Sequence, residues 1–259
     1  MNHEEYERMY RFEDTYWWFV ARRRLIVSLL DARCPRDGSL RLLDIGCGTG
    51  AMLDMLAPFG EVVGADFAPQ ALAFCRARGE GMGRDYPLTR ADVRRLPFAD
   101  NAFDAVTAMD VSEHIDDDKA ASSEIFRVLK PGGRLFVTVP AFGFLWSEHD
   151  EALHHYRRYT VPHLKDLFQR VGFLVGKISY TVTSLFPPIA AYRLLSNALP
   201  KHRENGEKKA DLVEVSSRVN GALQTLCDWE TRLVGRVNLP FGVTVVCVAE
   251  KPAPGAEAA

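Results

Sequence analysis

Three glycines and three aspartates carry the first recognisable chemistry in this chain. The run Leu42 to Gly50, LLDIGCGTG, leads an apolar stretch into Gly46, Gly48 and Gly50, with Asp44 just before them. Glycines after a strand let the backbone turn sharply and approach a ligand that any Cβ would push away. Alone, the string also satisfies the loose dinucleotide pattern, with Ala51 in its last place. Asp44 argues against that, because a carboxylate at this turn would repel a pyrophosphate. It suits a cofactor with a cationic end, held by charge-assisted hydrogen bonds. A second apolar stretch, Val62 to Ala65, ends in Asp66, twenty residues after Gly46. An acid so placed accepts both hydroxyls of an adenosine ribose. Asp92, in Ala91-Asp92-Val93, can accept from an adenine amino group while the Val93 amide faces a ring nitrogen.

A second constellation suits acid/base work. Phe142, Phe144, Leu145 and Trp146 lead into Ser147-Glu148-His149-Asp150, then His154-His155-Tyr156-Arg157-Arg158-Tyr159-Thr160. Histidine titrates near working pH, so it can take the proton of a hydroxyl or amine. His155 and His149 are the catalytic candidates, supported by Asp150. Tyr156, Arg157 and Tyr159 are expected to shape an acceptor pocket, together with Trp17 and Trp18. Metal binding by His149, Asp150, His154 and His155 is a rival use, but the spacing is not an established ligand pattern, so no metal is expected. The loop could also be only a structural tie.

S-adenosylmethionine (SAM), with an ammonium, a sulfonium and one carboxylate, satisfies the charge requirement at Asp44. Further signals follow in order: Phe103 to Asp110 as a strand pattern, Val111-Ser112-Glu113-His114-Ile115, and Val128 to Gly133 before the strand Arg134 to Val139. Over roughly Leu42 to Pro140 the series resembles the class I SAM-dependent methyltransferases. The resemblance implies an α/β fold: a Rossmann-like, seven-stranded, mostly parallel sheet with helices on both faces and an antiparallel last strand. It also implies SAM at the carboxyl ends of the first strands, touching Asp44, Gly46, Gly48, Asp66, Phe67, Asp92, Val93 and Met109 or Asp110. The loop after the fifth strand then faces the methyl group. Its His-Asp, four residues, His and Arg-Arg-Tyr resemble a recurrent signature of bacterial small-molecule methyltransferases, in which glycine stands where this chain has His154.

These groups need elements to position them. Tyr6 to Phe19 crowds eight aromatic and Met residues, Tyr6, Met9, Tyr10, Phe12, Tyr16, Trp17, Trp18 and Phe19, into barely four helical turns. Leu25, Ile26, Leu29 and Leu30 then recur at helical spacing, predicting a half that packs on the sheet behind an aromatic half that forms a lid. Phe173 to Leu185 reads as the sixth strand and Phe241 to Glu250 as the seventh. Between them, Leu185 to Leu195 is apolar but too short to span a bilayer, so it caps the site or lies on a membrane surface. Leu212, Val215, Val219, Leu223, Leu226 and Leu233 predict one apolar helical stripe. The expected division is a helical lid over 1-36, a SAM-binding core over 37-185, a helical insertion or cap over 186-240, the final core strand over 241-251 and a disordered tail over 252-259.

Composition sets the outer bounds. The 259 residues are 47% apolar and 25% charged, enough for one α/β domain with insertions. A net charge of -2 gives no general attraction to nucleic acid. Arg22-Arg23-Arg24 and Arg157-Arg158 either hold one anionic group or form solvated faces. Five cysteines without close pairing argue against a disulfide framework or a thiolate zinc site, and with no signal peptide a cytoplasmic location is expected. The expected function is methyl transfer by in-line displacement from SAM to a small or amphiphilic acceptor, with O- or N-methylation favoured. No nucleic-acid partner is expected, a peripheral membrane contact could run through 186-199, and oligomeric state is open. The alternatives are an NAD(P)-dependent Rossmann oxidoreductase, which Asp44 and Asp92 count against, and a SAM-binding module without catalysis.

Overall fold

The structure is a computed structural model describing residues 3–198 and 215–255. Seven strands, β1 (Leu40–Ile45), β2 (Gly60–Asp66), β3 (Leu88–Arg90), β4 (Phe103–Met109), β5 (Leu129–Pro140), β6 (Leu174–Thr181) and β7 (Thr244–Glu250), form one sheet in the order β3-β2-β1-β4-β5-β7-β6. The β3-to-β5 pairs are parallel, and β7 runs antiparallel to both β5 and β6, as the resemblance implied. Side chains alternate between faces along each strand. Leu43, Val137 and Cys247 therefore enter one core with helices α5 (Asp118–Val128) and α7 (Val161–Val171). Leu42, Phe136 and Val246 enter the other, with α2 (Trp17–Asp31), α3 (Ala51–Leu56) and α4 (Pro69–Gly81).

Local signals set several helix limits. Asp117 caps α5 by accepting the Ala120 amide at 2.9 Å, and Thr160 caps α7 before Pro162. Gly172 ends α7 in the left-handed conformation, φ +112°. Leu25, Ile26, Leu29 and Leu30 of α2 are buried against the sheet. Ahead of them, α1 (His3–Phe12) lies against α4 and over the glycine loop.

The carboxyl-terminal segments differ in detail from the sequence pattern. β6 ends at Thr181, four residues before Leu185, and β7 begins at Thr244 rather than Phe241. Between them stand α8 (Phe186–Ala198) and α9 (Ser217–Val234). The expected stripe is only in part what this segment buries: Val215 and Leu223 pack inward beside Cys227, with Glu230 and Val234 also buried, while Val219, Leu226 and Leu233 are exposed with Trp229. A polar anchor decides the rotation. Glu230 accepts the amides of Thr183 and Ser184 at 3.0 Å each and the Ser184 hydroxyl at 3.0 Å, hydrogen bonds that a buried carboxylate needs. Leu212 and tail residues 256–259 lie outside the described residues. Among those described, no helix is long and apolar enough to cross a membrane.

Candidate active site

The chain runs β1, β2, β3 outward and then returns across the sheet to β4, so a crevice opens at the carboxyl ends of β1 and β4. Open α/β sheets bind ligands at such a switch point. Here the cleft has a volume of about 1060 Å³, ample for a nucleoside-sized cofactor and a second small molecule. Its floor is the strand ends, its roof is α1 with the start of α2, and its far wall is the loop after β5 with α8.

The floor carries the carboxylates. Gly46 and Gly48 hold φ +65° and +54°, and a Cβ on Gly46 would stand 2.5 Å from Val111 Cγ2. A Cβ on Gly48 would meet Met9 of the roof. Asp66, at the tip of β2, accepts the Gly48 amide at 3.0 Å and the Ala68 amide at 2.8 Å. One bond to each oxygen fixes the carboxylate plane and leaves lone pairs for further donors. Asp44 is buried and accepts the Thr107 hydroxyl at 2.6 Å. Burial pushes its carboxyl up to about 7, and the nearby Asp66 adds to that. Burial likewise raises Asp66 and Glu13. A cleft whose acids resist ionisation is one that a cationic ligand would stabilise.

The remaining expected cofactor residues also line the cleft. Phe67 is exposed at the rim, with the Arg90 guanidinium 5.7 Å from its ring centre. Asp92 is engaged by Arg94, whose Nε and Nη2 donate at 3.1 and 2.7 Å and whose amide donates at 2.9 Å. An adenine amino group must share that carboxylate with Arg94. Val93 is buried beside it. Met109 ends β4, and Asp110 follows with φ +53°, paired with Arg22 and accepting the Thr138 hydroxyl at 2.8 Å. A non-glycine residue held there stores strain, and such strain clusters at ligand sites.

On the far wall the histidine loop, with its short helix α6 (Glu148–Ala152), forms a tight polar cluster. Asp150 is fully buried and accepts His155 Nδ1 at 2.9 Å, Arg158 at 2.8 and 2.9 Å, and the Ser147 amide at 2.9 Å. Burial would raise its carboxyl, but the bonds from His155 and Arg158 outweigh it and hold Asp150 well below the usual carboxylate range. His155 is thereby oriented with its other ring nitrogen available. Burial drives His149 down to about 4, with Arg193 adding to the effect, so its ring is neutral at neutral pH. His154 adopts φ +57°, the left-handed turn expected of the glycine it replaces; histidine is among the residues that tolerate it.

His149, His155, Tyr156, Trp17 and Trp18 line the cleft; Asp150, Arg157 and Tyr159 do not. Tyr159 is a correction to the expected pocket. It is fully buried, its hydroxyl donates to Asp118 at 2.9 Å, and the bulk of its ring fills the core. Arg157 also points away, pairing with Asp118 at 2.7 Å. Two neighbours take these places on the wall, Tyr156, 59% exposed, and Arg158. Trp17 and Trp18 meet edge to face at 5.4 Å, Trp17 resting on Cys227 of α9.

Arg22, Glu113, His114 and Arg158 join the site; the sequence marked the two arginines only as members of basic clusters and Glu113 and His114 only as a segment after β4. Arg22 reaches the strand ends from α2, and burial lowers it to about 10. Glu113 is buried, with burial pushing it up to about 8. His114 packs edge to face on His155 at 4.6 Å, and burial lowers it to about 3. The available signal was position: Glu113 and His114 stand just beyond the end of β4. The expectation of no metal rested on the loop's own spacing; the fold instead gathers Glu113, His114 and His155.

Comparison with known proteins agrees with this geometry. Residues 43–137 match the family described as "Methyltransferase domain". Demethylmenaquinone methyltransferase from Thermus thermophilus is 45% identical over 118 residues, 44% of this chain and 52% of that protein. Ubiquinone biosynthesis O-methyltransferase from Parvibaculum lavamentivorans is 34% identical over 137 residues, 51% and 53% of the two chains. The chain spans about half the length of these curated relatives. Among solved structures, the [4+2]-cyclase SpnF superposes with a TM-score of 0.61 at 24% identity, covering 92% of this chain and 87% of its own. That likeness carries the fold alone. Over its central part the chain is thus similar to a methyltransferase domain and to methyltransferases of quinone biosynthesis.

Proposed function

We propose that this protein transfers a methyl group from SAM to a small or amphiphilic acceptor by in-line displacement. One observation carries the reading: Asp44 and Asp66 stand at adjacent strand ends in the same cleft whose far wall is His155, His149 and Tyr156. Asp66 receives the ribose hydroxyls and Asp92 the adenine amino group. Asp44 serves the ammonium end, with Gly46, Gly48, Phe67, Val93, Met109 and Asp110 completing the contact. The acceptor's nucleophile forms its bond to the methyl carbon as the carbon–sulfur bond breaks, and the sulfur keeps the electron pair. Proximity supplies most of the acceleration, with effective molarities that reach ~10^5 to 10^8 M in well-oriented systems. The nucleophile's proton leaves on the His155 side, where Asp150 fixes the imidazole and His149 adds a neutral ring.

The relatives named for quinone biosynthesis support an apolar or amphiphilic acceptor, and an oxygen or nitrogen nucleophile fits the histidines. Residues 1-36 act as the lid, supported by Met9 lying on Gly48 and by Glu13 bonding Thr49. Within the 186-240 segment, α8 and the start of α9 cap the acceptor side, supported by Ile189, Tyr192 and Leu223 lining the cleft. Leu194 and Leu195 of α8 are exposed beyond the cleft, next to Tyr192 on its rim, which supports peripheral contact with a membrane that holds such an acceptor. Incubation with SAM and a metabolite extract tests the activity, read by mass spectrometry as a product heavier by one methylene. S-adenosylhomocysteine formation that never depends on any extract would count against it.

A further inference from the structure

We propose that Glu113, His114 and His155 form a divalent transition-metal site on the acceptor side of the cleft. One ligand atom from each lies within 4.8 Å of the others. Two come from the turn after β4 and one from the loop after β5, so the strands that build the cleft also build this cluster. Each group is presented as a ligand would be. Glu113 is 1% exposed, and its Oε2 has no hydrogen-bond partner among the described residues, although it lines the cleft. A buried carboxylate oxygen left without a donor is rare and calls for an explanation. His155 gives Nδ1 to Asp150 at 2.9 Å, leaving Nε2 for the cluster. His114 packs edge to face on His155 at 4.6 Å, which holds its ring against the cluster. Metal-binding histidines commonly anchor one ring nitrogen on a carboxylate, as His155 does on Asp150 here.

The donor set selects the ion. Two imidazoles and one carboxylate suit zinc and other first-row divalent ions, whereas magnesium and calcium prefer oxygen alone. In tetrahedral zinc, donors at ~2.0–2.1 Å from the ion stand about 3.4 Å apart, so loading asks each of these side chains to move inward by at most about 1 Å. Three protein ligands leave a fourth position open toward the cleft. An acceptor hydroxyl bound there would lose its proton more readily and attack as an oxyanion. His155 then acts by holding the ion, and the released proton passes to His149 or to water. This chemical use rests on the proposed methyl transfer; ion binding itself does not.

The test titrates the purified full chain with Co²⁺ alone, followed by visible d–d absorption, and with Zn²⁺ in competition with a chromophoric chelator. We expect one ion per chain. Glu113→Gln and His114→Ala should each weaken it at least tenfold, and Asp150→Asn about tenfold, the scale of losing a partner that orients a ligand. Zn²⁺ should raise the melting temperature of the wild type but not of Glu113→Gln, which separates loss of the site from loss of the fold. Absence of Co²⁺ bands in the wild type overturns the proposal, as does unweakened binding in both ligand variants, which would place the ion elsewhere, on a thiol for example. SAM affinity is measured by calorimetry on the same samples. Failure of the wild type to bind SAM would remove the methyl-transfer reading and leave the ion result standing.

Discussion

The two halves of the cleft are built differently. On the cofactor side, Asp44, Gly46, Gly48 and Asp66 come from one β-turn-α unit and the strand beside it; Asp66 is held by the Gly48 and Ala68 amides, and Asp44 by the Thr107 hydroxyl of the adjacent strand. On the acceptor side, Asp150, His155, Arg158, Glu113, His114 and Arg22 come from three separate segments. Side-chain bonds tie Asp150 to His155 and Arg158, Arg22 pairs with Asp110, His114 packs on His155, and the Tyr156 amide donates to the Glu113 carbonyl at 2.7 Å. A site anchored on backbone amides tolerates change in its surroundings. A buried side-chain network does not, because removing one member strands the rest without partners. The same division separates what the fold shares with a cyclase from what must set the chemistry of this chain.

The comparison breaks most sharply at Asp150 and His155. His155→Ala should lower turnover roughly 10^2- to 10^4-fold, the range for a positioned acid or base, while SAM affinity stays nearly intact. Asp150→Asn should give much of that loss, since it leaves Arg158 and His155 with a neutral partner. Loss of SAM affinity alongside turnover would show the two halves to be one network. On the cofactor side, Asp66→Ala should weaken SAM by roughly 1.5 to 3 kcal/mol in calorimetry, the scale of hydrogen bonds to a charged group. Activity at saturating SAM should largely recover.

A smaller effect follows from the raised carboxyl of Asp44. In the free protein it holds its proton up to about pH 7, whereas beside a cation it must be ionised. SAM binding below that pH therefore releases a proton, and affinity should rise about tenfold per pH unit up to pH 7 and flatten above. The stability of the free protein runs the other way. Between the unfolded value near 4 and the folded value near 7, the fold holds more protons than the unfolded chain, so stability falls as pH rises. SAM affinity that is flat from pH 5.5 to 8 would place the ammonium elsewhere. Least of all, His154→Gly should relieve a left-handed backbone worth about 1–2 kcal/mol, offset by the glycine's greater freedom when unfolded, raising the melting temperature by about 2 °C.

Sequence legibility follows the same line. The strand–glycine–acid spacing of Leu42 to Asp66 is local, so the sheet and its carboxylates could be read before any coordinates. The sequence marked His154 only as a departure from a signature that has glycine; the left-handed turn there comes from the structure. Tyr159 and Arg157 were misplaced because residues one apart on an extended segment face opposite sides, and spacing alone does not say which side is the cleft. Nor could spacing pair Glu113 and His114 with His155, which follow different strands. On α9 the apolar repeat pointed to one face, of which the hydrogen bonds demanded by Glu230 leave only part turned inward.

The most direct measurement is calorimetric titration of the wild type and Asp44→Asn with SAM and with NAD at pH 7.5. The account predicts that SAM binds the wild type, that Asp44→Asn weakens SAM at least tenfold, and that NAD binds neither. NAD binding to the wild type, or SAM affinity indifferent to Asp44→Asn, would contradict it.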